Sequence, residues 1–260
     1  MLSNPTLADR SALAYAPGVL RLLAIVAVVV PLAAVATMGR SSRITVGCAA
    51  GWRASAEPIL DDRGTAGDGH DFAVSYGGSG QLAAQAQLGQ RFDLLLMADA
   101  SYLDRLEADG RRWDRIPIAT QRAGLLLAPD TPQPTWEDVA SGRVRLSLAS
   151  PKTAAVSRVV ERTVGPRTFD AIRRQARVER TNVVEAANDA ARLDVAAAAL
   201  VWDTTAANYP DRRFIPLSAL NPAIDPVGEV QLGVRPGDAQ LRELAETIAA
   251  ALRMRDEGKP

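Results

Sequence analysis

Ser79, in the turn Gly77-Gly-Ser-Gly80, has the setting best suited to chemistry in this 260-residue chain. An apolar run, Phe72–Tyr76, leads into the turn. Gln81–Leu88 follows with only good helix formers, and Gly89 stops it. A strand, a glycine turn and a helix start in that order bare several backbone N–H groups, and the helix dipole adds partial positive charge there. Such a turn suits an anion. Three other readings compete. Gly78-Ser-Gly80-Gln-Leu-Ala83 fits the dinucleotide pattern G-x-G-x-x-G/A, with Asp99 about 20 residues on at a strand end. Gly77–Gln81 is one residue short of the nucleophile elbow G-x-S-x-G. The glycines could also serve only tight turning and close helix–sheet packing.

The rest of the chain separates these readings. His70 is the only histidine and precedes Ser79, whereas the elbow fold needs its base after the serine. The nucleotide reading is opposed because the unit is the second strand–turn–helix of the sheet and because the N-terminus looks exported. A phosphate-binding P-loop fails, since no Gly-Lys-Ser/Thr follows. A second turn of similar design, Gly47–Trp52, closes the preceding strand. Two such turns at strand carboxyl ends form the usual crevice site of an open α/β sheet.

Composition narrows the field further. Thirty basic and 30 acidic side chains cancel, and Lys152 and Lys259 are the only lysines, so nothing supports broad electrostatic binding to nucleic acid. One cysteine and one histidine exclude a disulfide framework, a thiolate metal cluster and a multi-histidine site. Leu22–Met38 carries no charge and is interrupted by Pro31, with a small-x-small site at Ala34–Ala36. Residues 1–42 therefore read as a signal peptide or a membrane anchor. Cys48 lies too far beyond the apolar run for a lipid attachment site and reads as a small residue of the first strand.

Strands alternate with helices beyond that leader, so the class is α/β with mostly parallel sheets. Expected elements include a strand from Arg43, a helix near 53–60 that starts late because of Pro58, and strands at 92–98, 116–120 and 123–128. Pro117 places the 116–120 strand at a sheet edge. Thr135 opens a capping-box helix, Asn182 caps a helix from Val183, and 196–202 is a buried strand. Proline-rich passages mark 43–122 plus 227–260 as one lobe and 123–226 as a second.

The stretches ITVGCAAGW (44–52) and VSYGGSGQLAAQAQLGQRFDLLLMADASYLDRL (74–106) resemble the first lobe of periplasmic molybdate-binding proteins of ABC importers. RAGLLLAPD, RLSLASPKTAAVSRVVERTV and TNVVEAANDAARLDVAAAALVWDTTAA continue the resemblance more weakly through the second lobe. The resemblance implies a two-lobed, hinged binding protein, periplasmic, monomeric and without cofactor or catalytic residues. It would hold an oxyanion such as molybdate or tungstate through neutral donors and deliver it to a membrane permease. Carried over by position, the site comprises Gly51, Trp52, Ser79, Gly80, Val156, Val184 and Trp202. Ser79 retains the family hydroxyl. Trp52 and Trp202 stand where the family has hydroxyls, and each offers a single N–H. A larger or less symmetric anion stacked between the two indoles is one expectation. A sensor lobe for another small anionic or organic solute is the alternative.

Overall fold

A computed structural model describes residues 43–61, 70–192 and 195–257. The expected leader, residues 1–42, lies outside them. The chain runs β1 (Ile44–Ala49), a 3-10 turn (Ala50–Trp52), α1 (Arg53–Leu60), β2 (Phe72–Gly77), α2 (Ser79–Gln87), β3 (Leu94–Met97), α3 (Ser101–Ala108) and β4 (Asp114–Leu127). It continues through α4 (Trp136–Ala140), β5 (Leu146–Ala149), α5 (Ala155–Val164), α6 (Pro166–Gln175), β6 (Val178–Arg180), α7 (Val183–Ala191) and β7 (Ala198–Trp202). It ends with α8 (Asp203–Ala206), β8 (Phe214–Pro216), α9 (Leu217–Leu220), β9 (Val227–Val234) and α10 (Ala239–Glu257). The fold is α/β, with helices packed on a sheet of nine strands.

Strand order is β2-β1-β3-β9-β4-β7-β5-β6, with β8 also paired to β4. Parallel pairs join β1 to β2 and β3, and β5 to β6 and β7. The middle of the sheet is antiparallel, because β4 and β9 run against their neighbours. Parallel pairing is thus a property of the outer strands. The two strands expected at 116–120 and 123–128 are one strand of 14 residues. It changes partner in mid-course: Arg122 lies opposite Val227 on β9, and Ala123 lies opposite Trp202 on β7. The register slips between Pro117 and Ala119, where the missing proline N–H would otherwise break the ladder. β4 as a whole stands inside the strand order, between β9 and β7, but Pro117 lies in the part whose described pairing is with β9 alone.

The core follows from alternation along the strands. Leu94 and Leu96 of β3 face one apolar cluster with Val46, Ile116, Leu232 and α10, while Leu95 and Met97 face the other. Leu241, Leu244, Ala245, Ile248 and Leu252 recur at helical spacing and seal the first cluster. The second cluster runs through both parts of the sheet, from Leu82 and Leu95 to Leu125, Val156 and Leu200. Cys48 is fully buried in β1, and burial pushes its thiol far up, so it is inert. Pro58 does not delay α1, which begins at Arg53. Burial of Ala56, Ile59 and Leu60 outweighs the local penalty of a proline in the helix.

Asp189 anchors the helix that follows β6. Its carboxylate is buried and accepts from Arg180 Nε (2.8 Å), Arg180 Nη2 (2.7 Å) and Ser147 Oγ (2.7 Å). Burial pushes the carboxyl pKa up, but those hydrogen bonds outweigh it, and the net direction is down. A carboxyl depressed in this way stabilises the fold above its unfolded value of about 3.9 and stops doing so as pH falls through the folded value. Asp189→Asn is therefore expected to lower stability by about 2 kcal/mol at neutral pH. The gap should narrow below about pH 4. Urea unfolding at pH 7 and pH 3 measures it, and an equal gap at both would rule out the charge as its source.

Candidate functional site

Three α-helices begin at one place. Gly78 and Ser79 start α2, Ala154 and Ala155 start α5, and Asn182 and Val183 start α7; all six line one small cavity. Ala49, Ala50 and Gly51, where β1 turns into its 3-10 turn, line it as well, with Ala98 and Trp202. Trp202 itself precedes α8. The cavity measures about 10 Å³, room for one water molecule. Its lining residues carry no ionisable side chain.

Local sequence explains why these helices start there. The Gln81 side chain reaches back and accepts from the Gly78 N–H at 2.9 Å, a capping arrangement that needs no side chain at position 78. Asn182 Oδ1 accepts from the N–H groups of Val184 (3.1 Å) and Glu185 (3.0 Å). The first N–H groups of a helix have no partner within it, and Ser79, Ala155 and Val183, each the first residue of its helix, all line the cavity. Their dipoles add there.

Polar groups behind the lining fix the turns. Gln121, in β4, is buried. Its Oε1 accepts from Trp52 Nε1 (3.2 Å) and Thr204 Oγ1 (2.7 Å), and its Nε2 donates to the Ala98 carbonyl (2.8 Å). Three turns of the site thus share one carboxamide. Ser79 is buried, and its Oγ accepts from the Ala98 N–H at 3.1 Å. Asp99 accepts from the Ser101 N–H at 3.2 Å and pairs with Arg162 of α5 at 3.5 Å, so its carboxylate is engaged just ahead of α3. The ribose-binding role in the dinucleotide pattern is taken up by that structural one.

Each residue expected from sequence can now be placed. Gly51, Ser79 and Trp202 line the cavity. Gly80 lies beside it, but its N–H donates to the Thr153 carbonyl at 2.9 Å. A Cβ on Gly78 or Gly80 would collide with backbone atoms of Thr153 or Lys152, so these glycines permit two chain segments to touch. Val156 is fully buried in the core; its neighbours Ala154 and Ala155 reach the cavity instead. Val183 lines this cavity, while Val184, whose N–H donates to Asn182 Oδ1, lines the larger cavity beside it. Trp52 is buried within the cluster beneath β1, and its indole N–H faces Gln121. It is not among the lining residues, so the structure does not bring the two indoles together across the cavity. Gln121, Asn182 and Ala98 were missed. Of these, Asn182 had a signal as a helix cap; Gln121 and Ala98 had none.

His70 stands just ahead of β2, its ring 6.3 Å from that of Phe72, and Ser79 follows the other end of the strand. A strand of that length spans about 17 Å, which leaves Ser79 without an imidazole base. Among the described residues no group of three or more His, Cys, Asp or Glu could hold a metal ion, and no helix is long and apolar enough to cross a membrane.

Gln121→Leu would leave Trp52 Nε1, Thr204 Oγ1 and the Ala98 carbonyl without this partner. Removing a partner from a buried polar group costs about 1–3 kcal/mol, and the Thr204 hydroxyl and the Ala98 carbonyl each lose one, so a loss of about 2 kcal/mol or more is expected. Chemical denaturation measures it; a loss under about 1 kcal/mol would show that Gln121 does not hold the turns.

The same architecture recurs in solved binding proteins. The periplasmic molybdate-binding protein of Azotobacter vinelandii superposes with a TM-score of 0.60 at 17% identity, over 80% of this chain and 92% of that one. The sulfate-binding protein SubI of Mycobacterium tuberculosis gives 0.58 at 16% identity, over 81% of each chain. The periplasmic binding protein AfuA of Actinobacillus pleuropneumoniae, solved with fructose-6-phosphate, gives 0.62 at 11% identity, over 81% and 79%. At these identities the likeness shows the fold alone. Among curated proteins no sequence matches the chain. A profile of bacterial extracellular solute-binding proteins does match, over residues 44–253, and the chain belongs to that family.

Proposed function

We propose that this solute-binding protein captures a small anion through a tetrahedral oxyanion group, and that it serves an ABC importer from the periplasm. The observation that carries the reading is the convergence of the starts of α2, α5 and α7 on one cavity without a charged side chain. Fixed N–H dipoles stabilise a dianion there and keep no counter-charge that would have to be desolvated when the site is empty. Ser79 adds a hydroxyl. Molybdate and tungstate fit this donor set, as do sulfate and phosphate. Residues 1–42 serve as the signal or anchor that places the folded part outside the cytoplasm, and the partner is the importer's permease.

Capture follows a hinge. Residues 43–122 plus 227–260 form one lobe and 123–226 the other, joined where β4 changes partner. The Ala123 N–H donates to the Pro226 carbonyl at this crossing, at 3.0 Å. A cavity sized for one water admits an anion only after the lobes part, and parting breaks the Gly80–Thr153 hydrogen bond and frees that N–H for the ligand. Closure on the ligand then presents a defined surface to the permease.

Calorimetric titration of the purified protein with molybdate, tungstate, sulfate and phosphate tests this reading. At least one should bind, and Ser79→Ala should weaken it about 10-fold or more, the worth of a hydrogen bond to a charged group. Binding of a neutral solute together with silence toward every anion would overturn the reading. Small-angle scattering is expected to show a more compact particle on binding; an unchanged envelope would count against the hinge.

A further inference from the structure

Two of the three helix starts at the cavity are capped from the same position by side chains of different charge. In α2 the third helical residue is Gln81, whose Oε1 accepts from the Gly78 N–H at 2.9 Å. The third residue of α7 is Glu185. Its carboxylate accepts from the Thr181 N–H (3.1 Å), Thr181 Oγ1 (2.9 Å) and Asn182 Nδ2 (2.9 Å). The first turns of α2 and α5 hold no acidic residue. Among these three helix starts, Glu185 alone brings a negative charge.

Capping does not need that charge, since Gln81 does the equivalent work with a carboxamide. Nor is the charge neutralised. The three donors on Glu185 are uncharged, and among the described residues no arginine or lysine forms an ion pair with it. The neighbouring Arg180 is committed to Asp189 at 2.7 Å. The carboxylate therefore stands one hydrogen bond behind Asn182, which lines the cavity. Glu185 is exposed, so salt screens its field. A like charge beside an anion site is unfavourable in proportion to the charge of the guest.

We propose that Glu185 is a specificity-determining residue of the anion site, one that sets how strongly the site counts the charge of its guest. Its carboxylate opposes the pull of the helix starts, about twice as strongly for a dianion as for a monoanion of the same shape. The advantage that charge alone would give a dianion is narrowed, and shape carries more of the selection. The inference rests on the anion reading above and names a residue that tunes that same site.

The test uses pairs of tetrahedral oxyanions alike in shape and unlike in charge: tungstate with perrhenate, and sulfate with perchlorate. The full-length protein is titrated with these four, molybdate and phosphate at neutral pH and low ionic strength. Glu185→Gln should bind the dianion of a pair about 4-fold more tightly and the monoanion about 2-fold more tightly, because the Coulomb energy scales with the guest's charge. Both gains should fall below about 1.5-fold near 1 M salt, where the screening length is about 3 Å. Gln81→Glu, which puts a carboxylate at the same position of α2, should weaken binding in the same charge-dependent way. Glu185→Gln keeps an oxygen for Thr181 and gives up the bond from Asn182 Nδ2, so a residue that served only the cap would lose affinity for both members of a pair alike. A bound anion that gains nothing from Glu185→Gln, or gains that are equal within a pair, would overturn the inference and leave the anion reading standing. Silence of the parent protein toward all six anions would overturn both.

Discussion

The site depends on one buried carboxamide. Gln121 sits in β4 one residue before its last pairing with β9, and its side chain touches three turns that otherwise share no hydrogen bond with one another through side chains of this strand. A buried amide is costly unless its donors and acceptors are matched, and here the match involves Trp52, Ala98 and Thr204. Matching fixes position: the Trp52 indole can reach Oε1 only if the turn after β1 adopts its observed course. The same holds for Ala98 at the end of β3 and for Thr204 in α8. Gly228 opposite Gln121 completes the arrangement, since a Cβ there would press on the Trp202 ring at 2.7 Å. A polar knot under an apolar-lined cavity thus sets where the cavity's walls stand.

A second constraint is close backbone approach. Gly78 and Gly80 lie against Lys152 and Thr153 with no room for a Cβ, and the apolar cluster continues past them from Leu82 to Val156. This contact joins the start of α2 to the loop before α5, two of the three helix starts that face the cavity. Glycine is used here for proximity; neither residue has positive φ. The turn that first suggested an anion cradle therefore has two duties. It holds Ser79 at the cavity, and it carries the seam along which the two parts of the sheet meet.

Local signals in the sequence identified elements and missed junctions. The glycine turn and the Asn182 cap were legible because each has a side-chain or backbone chemistry confined to a few residues. Val156 and Val184 were each one position from the residue that faces the cavity. In a helix a one-residue step turns a side chain by about 100°, enough to move Val156 into the core and Val184 onto the larger cavity beside this one. Trp52 is a ligand-stacking candidate from sequence because it falls by position on a family hydroxyl; its partner, Gln121, lies far away in sequence. Nothing in the run around Gln121 marks it as polar for a reason, and nothing marks residues 114–127 as a single strand, since Pro117 and Gln121–Arg122 read as a break. Long-range pairing decided both.

The chain has thirty basic residues, nearly all arginine, yet none lines the cavity at the helix starts. That choice has a physical consequence. A guanidinium would attract any anion, whatever its shape, and would need its own counter-charge when the site is empty. Backbone N–H groups at three helix starts are weaker individually, point in fixed directions and cannot be repositioned by rotating a side chain. On the proposed anion reading, recognition depends on whether the oxygens of the guest meet the three helix starts together. Before the lobes part, the starts of α2 and α5 are referred to one another through the Gly80–Thr153 contact, and Ser79 is held to the end of β3 through the Ala98 N–H. Shape selection in this site is therefore a property of the packing between its helices, and the residues that govern it lie largely behind the lining.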